Sequence, residues 1–210
     1  MTAHEQFQAL FAACPLVAIL RGVTPDEAEA IGDALYEGGI RIIEVPLNSP
    51  APLDSIKRLS KRLGSRALIG AGTVLQVDDI EPIRAAGGRL IVSPSTNAHV
   101  ISATIAAGLV SCAGYFTPSE AFAALDAGAR ALKLFPAEAA SPAVVRAQRA
   151  VLPKDLKLIV VGGVAPDTMA PWLEAGANGF GLGSGIYRPG QTPADTLSKA
   201  RAYVAALGPR

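Results

Sequence analysis

A single lysine stands in an otherwise apolar run, Ala131-Leu132-Lys133-Leu134-Phe135-Pro136. Bounded by Gly128 and Pro136, the run reads as a short buried strand. An ammonium buried without a partner is costly, and desolvation favours the neutral amine, a nucleophile toward carbonyls. The competing reading is a structural ion pair, or a side chain that snorkels out at the strand end. A second misplaced charge lies in Ile42-Ile43-Glu44-Val45-Pro46. An acid and an amine sharing one dry cavity make either a salt bridge or a proton shuttle beside a nucleophile. Glycine supplies a third element. Gly162-Gly163 and Gly183-Ser184-Gly185 expose backbone amides that can cradle an anion, unless they serve only as tight turns. No group of histidines, carboxylates and cysteines has metal-ligand spacing, so no metal and no other cofactor is expected.

The elements that must position these residues form a repeat. Apolar runs begin near 16, 40, 67, 89, 109, 129, 157 and 178, and a helical segment follows each. Thr24-Pro25-Asp26-Glu27 and Thr117-Pro118-Ser119-Glu120 are helix starts, with threonine as N-cap, proline at N1 and acid in the first turn. Gly39, Gly88, Gly108, Gly128 and Gly176 are helix stops just before the next run. The third strand is expected over 67–69, with Gly70-Ala71-Gly72-Thr73 as its turn, and the fifth over 109–112, ending at Cys112. Helices are expected over 3–13, 52–63, 98–107, 141–151 and 166–175, among others. Eight short runs, apolar on both faces and alternating with helices, suit a closed parallel barrel. A doubly wound open sheet would concentrate glycine after its first strand, where this chain has only Arg21-Gly22. The expectation is an α/β chain, residues 1–210 forming one (β/α)8 TIM barrel domain with a helix from residues 1–14 packed on it.

In such a barrel the site is built at the C-terminal strand ends. Arg21, Glu44, Asn48, Thr73, Ser93, Lys133, Ser184 and Gly162-Gly163 all fall there. Alternation places Glu44 with Ile42 and Lys133 with Ala131, and both charges are better tolerated pointing into the barrel than onto the helices. The glycine turns follow the seventh and eighth strands, the recurrent phosphate position of this architecture, which favours a phosphorylated ligand. His4 and His99 read as surface or capping residues, Cys112 as packing, and Trp172 and Met169 as contacts to the barrel or a neighbouring subunit. The net charge of +1 and the lack of a basic stripe argue against nucleic acid and membrane surfaces as partners. The first residues lack a secretion signal, no apolar segment suffices to span a bilayer, and two distant cysteines suit a reducing cytoplasm.

Taken in order, several motifs resemble the 2-keto-3-deoxy-6-phosphogluconate aldolase family, from near Leu16 to the end. They are Ala18-Ile19-Leu20-Arg21-Gly22, Ile43-Glu44-Val45-Pro46-Leu47, Gly70-Ala71-Gly72-Thr73-Val74, Ser93-Pro94, Leu132-Lys133-Leu134-Phe135-Pro136-Ala137, Gly162-Gly163-Val164 and Gly181-Leu182-Gly183-Ser184. The resemblance implies a metal-independent Schiff-base aldolase, usually trimeric, acting on a small phosphorylated keto acid. By position it makes Lys133 the Schiff-base lysine and Glu44 the acid/base. Arg21 and Thr73 would hold the pyruvyl carboxylate, Pro94 would line its pocket, and Gly162, Gly163, Gly183 and Ser184 would bind phosphate. The gluconate enzymes typically carry arginine and threonine where this chain has Asn48 and Val161, so both positions look like the galactonate branch. Ala137-Glu138-Ala139 instead resembles the gluconate branch. Two other classes compete: a phosphate-binding isomerase, epimerase or metal-assisted lyase, and a non-catalytic sugar-phosphate sensor.

Overall fold

The computed structural model describes residues 1–208; the last two positions of the expected domain span lie outside them. In chain order its strands and α-helices are α1 (Ala3–Ala13), β1 (Leu16–Ile19), α2 (Pro25–Glu37), β2 (Ile42–Pro46), α3 (Pro52–Leu63), β3 (Leu68–Gly72), α4 (Ile80–Ala85), β4 (Leu90–Val92) and α5 (Ala98–Ala106). There follow β5 (Val110–Tyr115), α6 (Pro118–Asp126), β6 (Ala131–Leu134), α7 (Pro142–Arg149), β7 (Lys157–Val161), α8 (Met169–Glu174), β8 (Gly179–Leu182) and α9 (Pro193–Ala206). The strands pair in parallel in sequence order, and β8 returns to β1 to close an eight-stranded (β/α)8 barrel.

The short period-two pattern sorts each strand into two faces. One face packs outward on the helices, as with Ile43 and Val45 of β2, Leu132 and Leu134 of β6, and Phe180 and Leu182 of β8. The other fills the interior with Val17, Ile19, Ile42, Leu68, Leu90, Val92, Val110, Cys112, Ala131, Ile159 and Val161. Phe7 and Phe11 of α1 belong to this inner cluster and stack on each other at 5.2 Å between centroids. They close the barrel at its N-terminal end, so α1 is a floor and the opposite end is free for a site. A capping box starts that floor helix: Glu5 N–H donates to Thr2 Oγ1 and Thr2 N–H to the Glu5 carboxylate. Gln6 fastens it by donating to the Ala67 carbonyl and accepting from Arg89.

Two strands run further than their apolar stretches. β3 continues through Gly70 and Gly72, and β5 through Gly114 to Tyr115, so Cys112 lies inside β5 rather than at its end. Here glycine serves close approach. A Cβ on Gly70 would come 2.2 Å from the Leu90 carbonyl oxygen, and one on Gly114 2.3 Å from the Pro94 carbonyl carbon. The helices expected over 98–107 and 141–151 are shorter, at Ala98–Ala106 and Pro142–Arg149. The one expected over 166–175 divides into a 3-10 turn, Pro166–Thr168, and α8, because a continuous α-helix would need Pro171 to donate to the Asp167 carbonyl and proline has no N–H. Met169 is fully buried and Trp172 packs against the outer core. No described helix is long and apolar enough to cross a membrane.

Candidate active site

Lys133 and Glu44 enter the interior from β6 and β2, opposite walls of the barrel. Register fixes both: Glu44 lies beside Ile19 and Gly70, and Lys133 beside Gly114 and Ile159. Lys133 is 6% exposed and Glu44 1% exposed, so both charged groups are almost out of water. No ion pair joins them directly among the described residues. The Lys133 Nζ instead sits over the Phe135 ring, 4.7 Å from its centroid. Glu44 Oε2 is buried with no hydrogen-bond partner. Burial pushes the Glu44 carboxyl up to about 7, against the pull of the positive charges of Lys133 and then Arg21. A carboxyl balanced near neutrality can both take and return a proton. The neighbouring Cys112 thiol is pushed up to about 12, chiefly by burial, so it remains a neutral packing group.

Space for the Glu44 carboxyl is provided by Gly72. A Cβ there would fall 1.9 Å from Glu44 Oε2. The next residue, Thr73, holds φ at +56°, a left-handed conformation uncommon for a side chain branched at Cβ. Its hydroxyl accepts from Arg21 Nη2 at 3.5 Å, while Arg21 Nη1 donates to Asn48 Oδ1 at 2.6 Å. Loops after β1, β2 and β3 thus bring Arg21, Asn48 and Thr73 into one polar group above Glu44. Ser49 steadies the arrangement by accepting from Gly22 N–H at 2.9 Å. Pro94, after β4, leans over Gly114 of β5, and Thr96 Oγ1 donates to the Gly114 carbonyl at 2.7 Å.

On the far side of the rim, Val161 ends β7 with its side chain toward Gly181 of β8. Gly162 and Gly163 then turn with φ of +125° and +62°, conformations that glycine alone adopts without strain. Open space surrounds the Cβ direction of Gly183, and its carbonyl accepts from Ile186 and Tyr187 N–H in the short turn that follows. Ser184 is exposed in the same turn. A polar cationic side near β1–β3, a lysine and an acid in the middle, and a glycine-lined side near β7–β8 therefore ring one mouth. His4 is exposed on α1, at the opposite end of the barrel, and His99 is exposed in the first turn of α5, capped by Asn97. Two contributors lacked a local signal. Gly72 reads as turn glycine until Glu44 is seen beside it, and Glu138 reaches the Gly162-Gly163 turn from the loop after β6.

The 2-dehydro-3-deoxy-6-phosphogalactonate aldolase of Escherichia coli (strain K12) is 46% identical over 192 residues, covering 91% of this chain and 94% of the relative. A 2-dehydro-3-deoxy-phosphogluconate aldolase of Pseudoalteromonas atlantica is 32% identical over 169 residues, covering 79% and 77% respectively. A solved structure described as native KDPGal superimposes with a TM-score of 0.91 at 46% identity, over 92% of this chain and 94% of that one. The sequence profile described as KDPG and KHG aldolase matches residues 8–198, and the chain belongs to that aldolase family.

Proposed function

We propose that the protein is a Schiff-base aldolase that cleaves 2-dehydro-3-deoxy-6-phosphogalactonate to pyruvate and glyceraldehyde 3-phosphate. The observation that carries this reading is a lysine in the dry barrel interior, facing a buried carboxyl held near neutrality. Arg21 and Thr73 hold the substrate carboxylate, Pro94 borders the pyruvyl pocket, and Gly162, Gly163, Gly183 and Ser184 take the phosphate. The unprotonated Lys133 amine adds to the C2 ketone, and loss of water gives an iminium. Glu44 takes the C4 hydroxyl proton as C4 becomes an aldehyde. The C3–C4 bonding pair moves into the iminium and leaves an enamine. Glyceraldehyde 3-phosphate departs, Glu44 returns its proton to C3, and water releases pyruvate and the free amine. Anchoring the phosphate far from the bond that breaks orients the substrate.

Asn48 and Val161 support the galactonate epimer, since the substrates differ at the C4 hydroxyl and exchanging polar partners near it discriminates between them. Glu138 favours the second reading, the gluconate epimer, through the sequence Ala137-Glu138-Ala139. A side-by-side assay on the two 6-phosphates, coupled to pyruvate release, decides between them. For the chemistry, borohydride added with pyruvate is expected to leave a stable adduct on Lys133, read by peptide mass. Lys133→Met is expected to stay folded, to lose the adduct, and to drop kcat by at least about a thousandfold. An adduct elsewhere, or substantial turnover by the variant, overturns the assignment. The family resemblance also supports a homotrimer acting in the cytoplasm, the first checked by light scattering.

A further inference from the structure

The loop after β6 carries an acid that the chemistry above does not use. Glu138 lies in the 3-10 turn Ala137–Ala139, on the same rim as the Gly162-Gly163 turn after β7. The contact is close. A Cβ on Gly162 would fall 2.0 Å from Glu138 Oε2 and 2.8 Å from its Cδ, and one on Gly163 3.0 Å from its Cγ and 3.5 Å from its Oε1. The whole side chain therefore lies along the glycine pair. Three other acids in the loops and first helical turns after the strands are committed elsewhere: Glu27 accepts from Thr24, Glu120 from Thr117 and Phe116, and Asp195 from Thr192. Glu138 makes no hydrogen bond or ion pair with any described residue, and it is exposed, so it is free to rotate into solvent.

We propose that Glu138 is a specificity-determining residue, an anionic cover that occupies the β7 glycine turn in the unliganded protein and is displaced by the phosphate of the substrate. The inference rests on the phosphate reading of Gly162 and Gly163 given above. A phosphate seated on that turn would meet the carboxylate at contact distance, and two anions are not accommodated side by side without a cation between them. Among the described residues no basic side chain is paired with Glu138 to neutralise it. The carboxylate must swing outward whenever a phosphorylated ligand enters, and it weakens binding of that ligand relative to an unphosphorylated one.

The test is condensation of pyruvate with glyceraldehyde 3-phosphate against glyceraldehyde, in the wild type, Glu138→Gln, Glu138→Ala and Ser184→Ala. Removing the like charge is expected to raise the ratio of the two kcat/KM values about three- to tenfold in both Glu138 variants. Competitive inhibition by inorganic phosphate is expected at correspondingly lower concentration in those variants. Ser184→Ala is expected to lower the ratio. An unchanged or lower ratio in Glu138→Gln and Glu138→Ala, with the wild type still preferring the phosphorylated aldehyde, overturns the role of Glu138 alone. A wild type indifferent to the phosphate, with Ser184→Ala neutral, overturns the phosphate reading and this one together.

Discussion

Replacing Glu44 by glutamine should make the protein more stable and less active, with a pH dependence that exposes the cause. Glu44 is 1% exposed and its carboxyl is raised to about 7, mainly by burial. In the unfolded chain it returns to the ordinary range near 4.3. Between these values the folded protein holds a proton that the unfolded chain has lost. Folding stability therefore falls as pH rises through this window, the reverse of an ion-paired carboxylate. The difference of about 2.7 pKa units amounts to about 3–4 kcal/mol by pH 8 and about 1 kcal/mol at pH 5. Glutamine mimics the protonated side chain, so Glu44→Gln should gain roughly that amount at pH 8 and much less at pH 5. In urea this is a shift of about 1 M in midpoint at unchanged slope, measured at one fixed protein concentration. Aldol cleavage should collapse in the same variant, because glutamine cannot accept the C4 hydroxyl proton. In the wild type the rate of cleavage should fall as pH drops below about 7, where Glu44 becomes protonated. A stability gain that is absent at pH 8, or equal at pH 5 and pH 8, would refute the argument that the site is held against the folding preference of this carboxyl.

Further substitutions probe the parts that hold the site. Gly72→Ala places a Cβ 1.9 Å from Glu44 Oε2, so it should displace the carboxyl and lower kcat more than KM, with an overpacking cost of about 1–3 kcal/mol in urea melts. Phe7→Ala empties a fully buried position in the barrel floor and should destabilise by about 3–5 kcal/mol, read as a lowered urea midpoint. The active fraction of that variant, titrated by borohydride trapping with pyruvate at low temperature, should keep normal turnover, because Phe7 lies at the end of the barrel away from the site.

Local chemistry made much of this legible beforehand. Period-two alternation placed Glu44 and Lys133 on the inward faces of β2 and β6, and threonine-proline-acid starts marked α2 and α6 where they occur. The α3 bounds were also readable, since Pro52 starts it and Gly64 follows its last residue. Glycine was harder to read. In β3 and β5 it extends a strand, because a neighbour's backbone or carboxyl occupies the space a side chain would take, and that neighbour is far away in sequence.

What the sequence determined by itself is the kind of residue at each strand end and the repeat that puts those ends in a ring, because hydrophobic period and capping are local properties. What only the tertiary structure decided is which of those residues meet. Arg21 finds Asn48 and Thr73 across three loops, Glu44 loses water without gaining a hydrogen bond at Oε2, and Glu138 comes to lie on the Gly162-Gly163 turn. The physical reason is closure of the barrel: it fixes the distance between strand ends that no local pattern encodes, and it sets the burial that moves a carboxyl from an ordinary acid to one poised near neutrality.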